Sequence, residues 1–228
     1  IKSPVDRSVR HNWYLSKIYR QNPKIRDTAI LLKTFFKRVG VYGAEARVGG
    51  FSGYLIELLA VYYCSFLKAI DEISKWEPYK VFLWIENPGD WKPGMAPMVF
   101  VDPISPERNA AAAVTEDAII LVSEAAKDFC RMVRENIMEK NPNVFYNFFM
   151  PIYESKINLT KELIQETIQN IKRTSEIFVI RFPSKLTELH PDVIYTELKR
   201  SAEGLKAKLQ EHGVEVRKYF IDYITPAL

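Results

Sequence analysis

An α+β fold in two units is predicted, a helical unit over residues 1–140 followed by a smaller strand-helix-strand unit over residues 141–228. Three observations predict it. Apolar residues recur at helical spacing through residues 25–39 and 52–70. The pattern changes at NPNVFYNFFMP, residues 141–151, an aromatic stretch that reads as a connection. Beyond it, Val214, Val216, Lys218 and Phe220 alternate with Glu215, Arg217 and Tyr219, the two-residue period of a strand.

Taken in order, the chain opens on a basic segment, VDRSVRH, that carries His11. Ile25, Ala29, Leu32, Phe36 and Val39 follow a 4, 3, 4, 3 spacing, one face of a helix, with Arg26, Lys33 and Lys37 on another. Gly40 is its expected stop, since glycine readily takes positive φ. A Gly-rich turn with Arg47 follows, and Ser52 is the expected cap of a helix reaching about residue 70, with Leu55, Leu58, Leu59 and Tyr62 on its buried side. Residues 76–97, rich in Trp, Pro and Gly, read as a loop carrying a strand at 81–85. A second strand, 98–101, delivers the DPISPERN turn. Four consecutive alanines then favour a helix over residues 110–127 or beyond.

In the second unit a helix is expected over 160–173, a strand over 177–182, a helix over 191–212 stopped by Gly213, and a strand over 214–220. This is half of a ferredoxin-like layer, which needs two such units. The second unit is therefore expected to be partial.

The formal charge of +4 conceals an asymmetry. Residues 1–50 hold 11 Lys/Arg against 3 Asp/Glu, a net +8, so the remaining 178 residues carry −4. A basic front end points to the phosphates of a nucleotide or of RNA more than to an acidic protein or a bilayer. Cys64 and Cys130 stand alone, which supports neither a disulfide framework nor a cysteine-rich zinc site and fits a reducing cytosol. The most apolar run, residues 55–64, is interrupted by Glu57 and falls short of the roughly 20 residues of a spanning helix. No signal peptide is visible, and the start at Ile1 rather than Met reads as a fragment, a processed product or an incompletely covered chain.

Two turns could carry chemistry. His11, Lys33 and Tyr42 offer three donors from segments joined by one helix, a cradle for a triphosphate; separately they also read as a surface histidine, a solvated charge stripe and an aromatic plug. GGFSGY is neither a Walker loop nor a GxGxxG fingerprint. Its glycines and the helix start behind it suit an anion, or form a tight interhelical turn with a Ser cap. In VDPISPERN, Asp102, Pro103, Arg108 and Asn109 read as a helix entry capped by Asn109, or else Arg108 faces a base edge. Cytosine N3 and adenine N1 accept hydrogen bonds whereas uracil N3 and guanine N1 carry hydrogens, so a guanidinium there admits C and A.

These elements in this order resemble the archaeal (class I) CCA-adding enzymes, tRNA nucleotidyltransferases of the polymerase-β-like family that build or repair the 3′ CCA end. The residues carrying the resemblance are VDRSVRH, ILLKTFFKRVGVYGAE, GFSGYLIELL and VDPISPERNAAAA, with a weaker continuation through IFVIRF and PDVIYTELKRSAEGL. The resemblance implies a helical central (neck) domain and the start of a tRNA-gripping body domain. It implies His11, Lys33 and Tyr42 on the triphosphate, Arg108 near the incoming base, ATP and CTP as substrates, and the acceptor/TΨC arm of tRNA as partner. A carboxylate of the catalytic domain is expected to accept the exocyclic amine of C or A. A cytoplasmic location, no membrane, and a homodimer as a further possible partner complete the expectation.

Magnesium is implied too, held by a palm domain with a Gly-Ser turn and an Asp-x-Asp pair. Neither motif occurs in these 228 residues, so no catalytic or metal-binding residue is assigned here and the chain alone is expected to bind without catalysing. Gly49 stands where the family commonly has Arg or Gln, and Asn12 where a second histidine is common. Rival readings are a non-catalytic RNA-binding adaptor and a poly(A) polymerase or oligoadenylate synthetase relative; VDPISPERN favours the CCA-adding resemblance over the latter.

Overall fold

Pro23 sits at the first turn of a helix that buries Ile25, Thr28, Ala29, Leu32, Phe35 and Phe36. The computed structural model describes residues 4–139, 169, 172, 176, 178–180, 190–216, 219 and 221. Helix α1 (Pro4–Gln21) leads through Asn22 into α2 (Pro23–Val39), where proline supplies a preset φ at a position whose amide would be unpaired anyway. Gly40 closes α2 at φ 82°, donating back to the carbonyls of Lys37 and Phe36. Ile25, Ala29, Leu32 and Phe36 are buried as the spacing predicts, joined by Phe35.

Helix α3 (Gly53–Tyr63) is capped as expected, with the Ser52 hydroxyl accepting from the Leu55 amide at 3.1 Å. The single helix expected as far as residue 70 is corrected by the structure. Cys64 takes a left-handed conformation, φ 58°, and α4 (Phe66–Ile73) departs from α3 at 105°. The bend turns Phe66, Ala69, Ile70 and Ile73 into the core, which a straight continuation would have carried past it. Tyr62, expected on the buried side, is 40% exposed, while Leu55, Leu58 and Leu59 are fully buried. Phe36 meets Phe51 edge-on at 4.6 Å, and Phe129 meets Phe35 and Phe66 at 6.0 and 5.6 Å, geometries that each add about 1 kcal/mol to area burial. Among the described residues no single helix is long and apolar enough to cross a membrane.

Strands β1 (Val81–Leu83), β2 (Met98–Asp102) and β3 (Ser105–Asn109) form one mixed sheet in that order. β1 runs parallel to β2, so the loop at 84–97 serves as the crossover a parallel pair requires. β2 and β3 are an antiparallel hairpin closed at Asp102↔Ser105. The four alanines do not start the next helix. Residues 110–113 form a turn, with Ala110 and Ala111 buried, and α5 (Glu116–Glu139) begins only at Glu116. Ala110 and Ala111 join the core in this turn, and tertiary packing overrides helix propensity. Asn109 is likewise not a helix cap. Its Oδ1 accepts from the amides of Phe100 and Ala111 and its Nδ2 donates to the Met98 carbonyl, which fastens β3 to β2. Thr115 takes the capping role, its hydroxyl accepting from Ala118.

Backbone contacts divide the chain into Ile1–Phe149 and Met150–Leu228. In the second unit the expected helix over 191–212 is α6 (Pro191–Glu211), with the His190 ring accepting from the Asp192 amide. The connection at 141–151, and all but residues 169 and 172 of the helix expected over 160–173, lie outside the described residues. The strands expected at 177–182 and 214–220 are not formed at the residues described there. Phe178, Val179, Ile180 and Val214 are exposed with no ladder partner among the described residues, and alternation makes a strand only when a neighbour takes its backbone groups.

Candidate functional site

The most constrained polar group in the first unit is a carboxylate at the end of β2. Asp102 is fully buried, and burial of a charge is tolerated only where donors surround it. Its Oδ1 accepts from the Ile104 amide at 3.0 Å, the two-residue bond of an aspartate-led turn, and from the Tyr54 hydroxyl at 3.0 Å. Its Oδ2 accepts from Arg108 Nη1 at 2.9 Å and from His11 Nε2 at 3.2 Å. Since a carboxylate only accepts, Nε2 of His11 carries a proton in this arrangement. The His11 ring also stacks on Tyr54, with centroids 3.7 Å apart and planes within 10°.

Four elements converge on that carboxylate: α1 with His11, α3 with Tyr54, β2 with Asp102 itself and β3 with Arg108. Burial first, then the Asp102 charge and hydrogen bond, push the Tyr54 phenol well above its usual range. Tyr14, on α1, is pushed up to about 12 by burial, Glu86 and Asp102. A network held from four sides in this way leaves little freedom to any one member.

Beside it lies a pocket of about 290 Å³ lined by Ser8, His11, Asn12, Leu15, Lys33, Gly53, Tyr54 and Glu57. Lys33 reaches it from α2 and pairs with Glu57 of α3; the two side chains are 29% and 22% exposed, so the pair stands at the pocket wall and within reach of solvent. Tyr42 arrives from the α2–α3 turn, its hydroxyl 3.0 Å from where a Cβ on Gly53 would lie, and Lys37 Nζ stands 4.9 Å over its ring. The Tyr19 hydroxyl of α1 is buried with no hydrogen-bond partner among the described residues, and burial followed by the Glu57 charge raises its pKa.

The four residues singled out from the sequence thus occupy one region. His11 and Lys33 line the same pocket, Tyr42 abuts its wall at Gly53, and Arg108 joins His11 through Asp102. Arg47 stands on the exposed tip of the Gly-rich turn and does not line the pocket. Sequence reading missed Tyr54 and Glu57 as site residues and took Asp102 for an ordinary loop charge. A signal existed for the first two: they lie three apart at the start of α3, on the face that also presents Gly53. The local partners of Asp102, Ile104 and Arg108, are within reach of sequence reading, but Tyr54 and His11 lie 48 and 91 residues away.

Comparison with known proteins gives consistent matches. Residues 27–139 match the family described as tRNA nucleotidyltransferase, second domain. The chain is 34% identical over 218 residues to the CCA-adding enzyme of Pyrobaculum aerophilum, covering 95% of this chain and 44% of that protein. Against the CCA-adding enzyme of Saccharolobus islandicus (strain M.14.25) the identity is 34% over 213 residues, 93% of this chain and 44% of the relative. With that of Pyrobaculum neutrophilum it is 32% over 218 residues, again 95% and 44%. The chain spans under half the length of these curated relatives.

Proposed function

Since residues 27–139 belong to the second-domain family of tRNA nucleotidyltransferases, we propose that the intact protein adds CMP and AMP, from CTP and ATP, to the 3′ end of tRNA. In this reading the pocket between α1, α2 and α3 receives the triphosphate. Lys33 exchanges Glu57 for phosphate oxygens, and His11 and the Tyr42 hydroxyl contribute further donors. Arg108 faces the base and favours an acceptor at cytosine N3 or adenine N1. The observation that supports the reading best is the convergence on Asp102, which sets His11 and Arg108 a single carboxylate apart beside the Lys33 pocket.

Chemically, the tRNA 3′ hydroxyl attacks the α-phosphate, the bond to the β-phosphate breaks and pyrophosphate leaves. The described residues contribute binding and orientation to that displacement, fixing triphosphate and base so that the α-phosphate is presented to the hydroxyl. Magnesium, when bound, steadies the attacking and leaving oxygens. Among the described residues no group of three His, Cys, Asp or Glu side chains could hold it, so no residue of this chain is given that role. The same reading carries tRNA's acceptor/TΨC arm as the partner, a cytoplasmic location, and a homodimer that a size measurement would decide.

The test uses the intact encoded protein with tRNA lacking its CCA end and each nucleoside triphosphate in turn. Incorporation limited to C and A, eroded by Arg108→Ala, is the expected result. Equal use of all four nucleotides, or unchanged selectivity in Arg108→Ala, would refute the role given to Arg108.

A further inference from the structure

Asp102 is sealed from solvent and is not among the residues that line the pocket. Its two oxygens nevertheless divide their work. Oδ1 is occupied by the Ile104 amide and Tyr54 hydroxyl, contacts that shape the hairpin and hold it to α3. Oδ2 is shared by Arg108 and His11, the residues given to the base and to the triphosphate. Arg108 keeps 38% of its side chain exposed while Asp102 exposes none, so a side chain within reach of solvent is anchored through Nη1 to a buried carboxylate.

We infer that Asp102 is a positioning residue that sets nucleotide choice: through one oxygen it fixes the direction of the Arg108 guanidinium and ties it to His11. The inference rests on the reading of Arg108 as the base-facing group. A free arginine on a short hairpin samples many rotamers and contacts any base; a tethered planar fork presents donors in one direction and discriminates. The shared oxygen also links the two ends of the nucleotide, because a shift of His11 toward a phosphate alters what Oδ2 offers to Arg108.

Asp102→Asn is the discriminating variant. Its Oδ1 still accepts from Ile104 and Tyr54, preserving the hairpin, but an amide now faces Arg108 and His11, and two donors cannot hold one another. The quantity to measure is the ratio of kcat/KM for CTP over UTP, and for ATP over GTP, in the intact encoded protein with melting temperature recorded alongside. Arg108→Ala is expected to lower these ratios about tenfold or more. Asp102→Asn should lower them comparably, and the double variant should lose no more selectivity than Arg108→Ala alone, because one residue acts through the other.

If Asp102→Asn weakens all four nucleotides equally and adds its effect to that of Arg108→Ala, Asp102 is structural and the inference fails. If Arg108→Ala itself leaves the ratios unchanged, the base-facing reading falls first, a distinguishable outcome. Should Asp102→Asn not fold, Arg108→Lys decides. A single ammonium can pair with Oδ2 or face a base but not both, so selectivity is expected to fall as in Arg108→Ala, and wild-type selectivity in Arg108→Lys would overturn the inference.

Discussion

The turn at residues 41–52 and the hairpin at residues 98–109 both read as ligand-facing in the sequence, and they close by opposite chemistry. At the first, backbone meets backbone. The Phe51 amide donates to the Val41 carbonyl and the Gly43 amide to the Phe51 carbonyl, each at 2.8 Å. A Cβ on Gly50 would lie 2.1 Å from the Val41 oxygen. At the second, a buried carboxylate draws in side chains from three other elements. Glycine enrichment signals close approach without saying to what, and here the approach is to the protein itself. A buried aspartate must find donors, so it reports a site even where its neighbours in sequence are unremarkable.

Substitutions can break that contrast, and the largest effect is expected at the glycine turn. Gly50→Ala forces a methyl into the Val41 carbonyl and should cost on the order of 3 kcal/mol, read as a lower denaturant midpoint at unchanged slope. A near-neutral Gly50→Ala would mean that the turn is open enough to meet a ligand after all. Asn109→Ala comes next, since it strands the buried amides of Phe100 and Ala111 and the carbonyl of Met98. A loss of about 2 kcal/mol is expected, with faster amide exchange concentrated in β2 and β3.

Gly49→Ala sharpens the comparison further. Its Cβ would lie 2.7 Å from Thr115 Cγ2 at a backbone φ of +55°, so a loss of about 1–2 kcal/mol is expected. Thr115→Ser removes the clashing methyl while keeping the hydroxyl that donates to the Gly49 carbonyl, and the pair should recover the steric part but not the backbone part. Full recovery, or none, would assign the cost to one cause alone.

The smallest effect is silent at neutral pH. Tyr14 and Tyr63 are each pushed up to about 12, both chiefly by burial, and Tyr14 additionally by Glu86 and Asp102. Raised phenol pKa values make the folded state hold its protons more tightly. Their contribution is intact below about 10, the value of an unfolded tyrosine, and is lost as pH climbs toward 12. Tyr14→Phe should flatten the decline of stability across that window, and an unchanged slope would show that the folded state does not raise the Tyr14 phenol.

Where local physics decides, the sequence was readable. The α2 face, the Gly40 stop, the Ser52 cap and the start of α6 follow from spacing and capping. Helix α1 escaped notice because its outward face carries Val9 and Trp13 at 65% and 69% exposure, which blurs the apolar stripe around Leu15. The α3–α4 bend rests on a left-handed cysteine, a conformation with no sequence signature. Residues 110–113 are strong helix formers held in a turn, with Ala110 and Ala111 packed into the core. At the site the residue types were legible, but the register was not. Asp102 meets Arg108 across a hairpin whose register breaks between Val101 and Asp102, and it meets His11 only through tertiary packing.

The most direct test of the proposed triphosphate pocket is equilibrium binding of CTP to the intact encoded protein, compared with Lys33→Met, a variant whose fold is checked by its melting temperature. CTP affinity is expected to fall about tenfold or more while the fold is retained, because Lys33 brings a cation to the pocket wall. Unchanged CTP affinity in a folded Lys33→Met protein would contradict it.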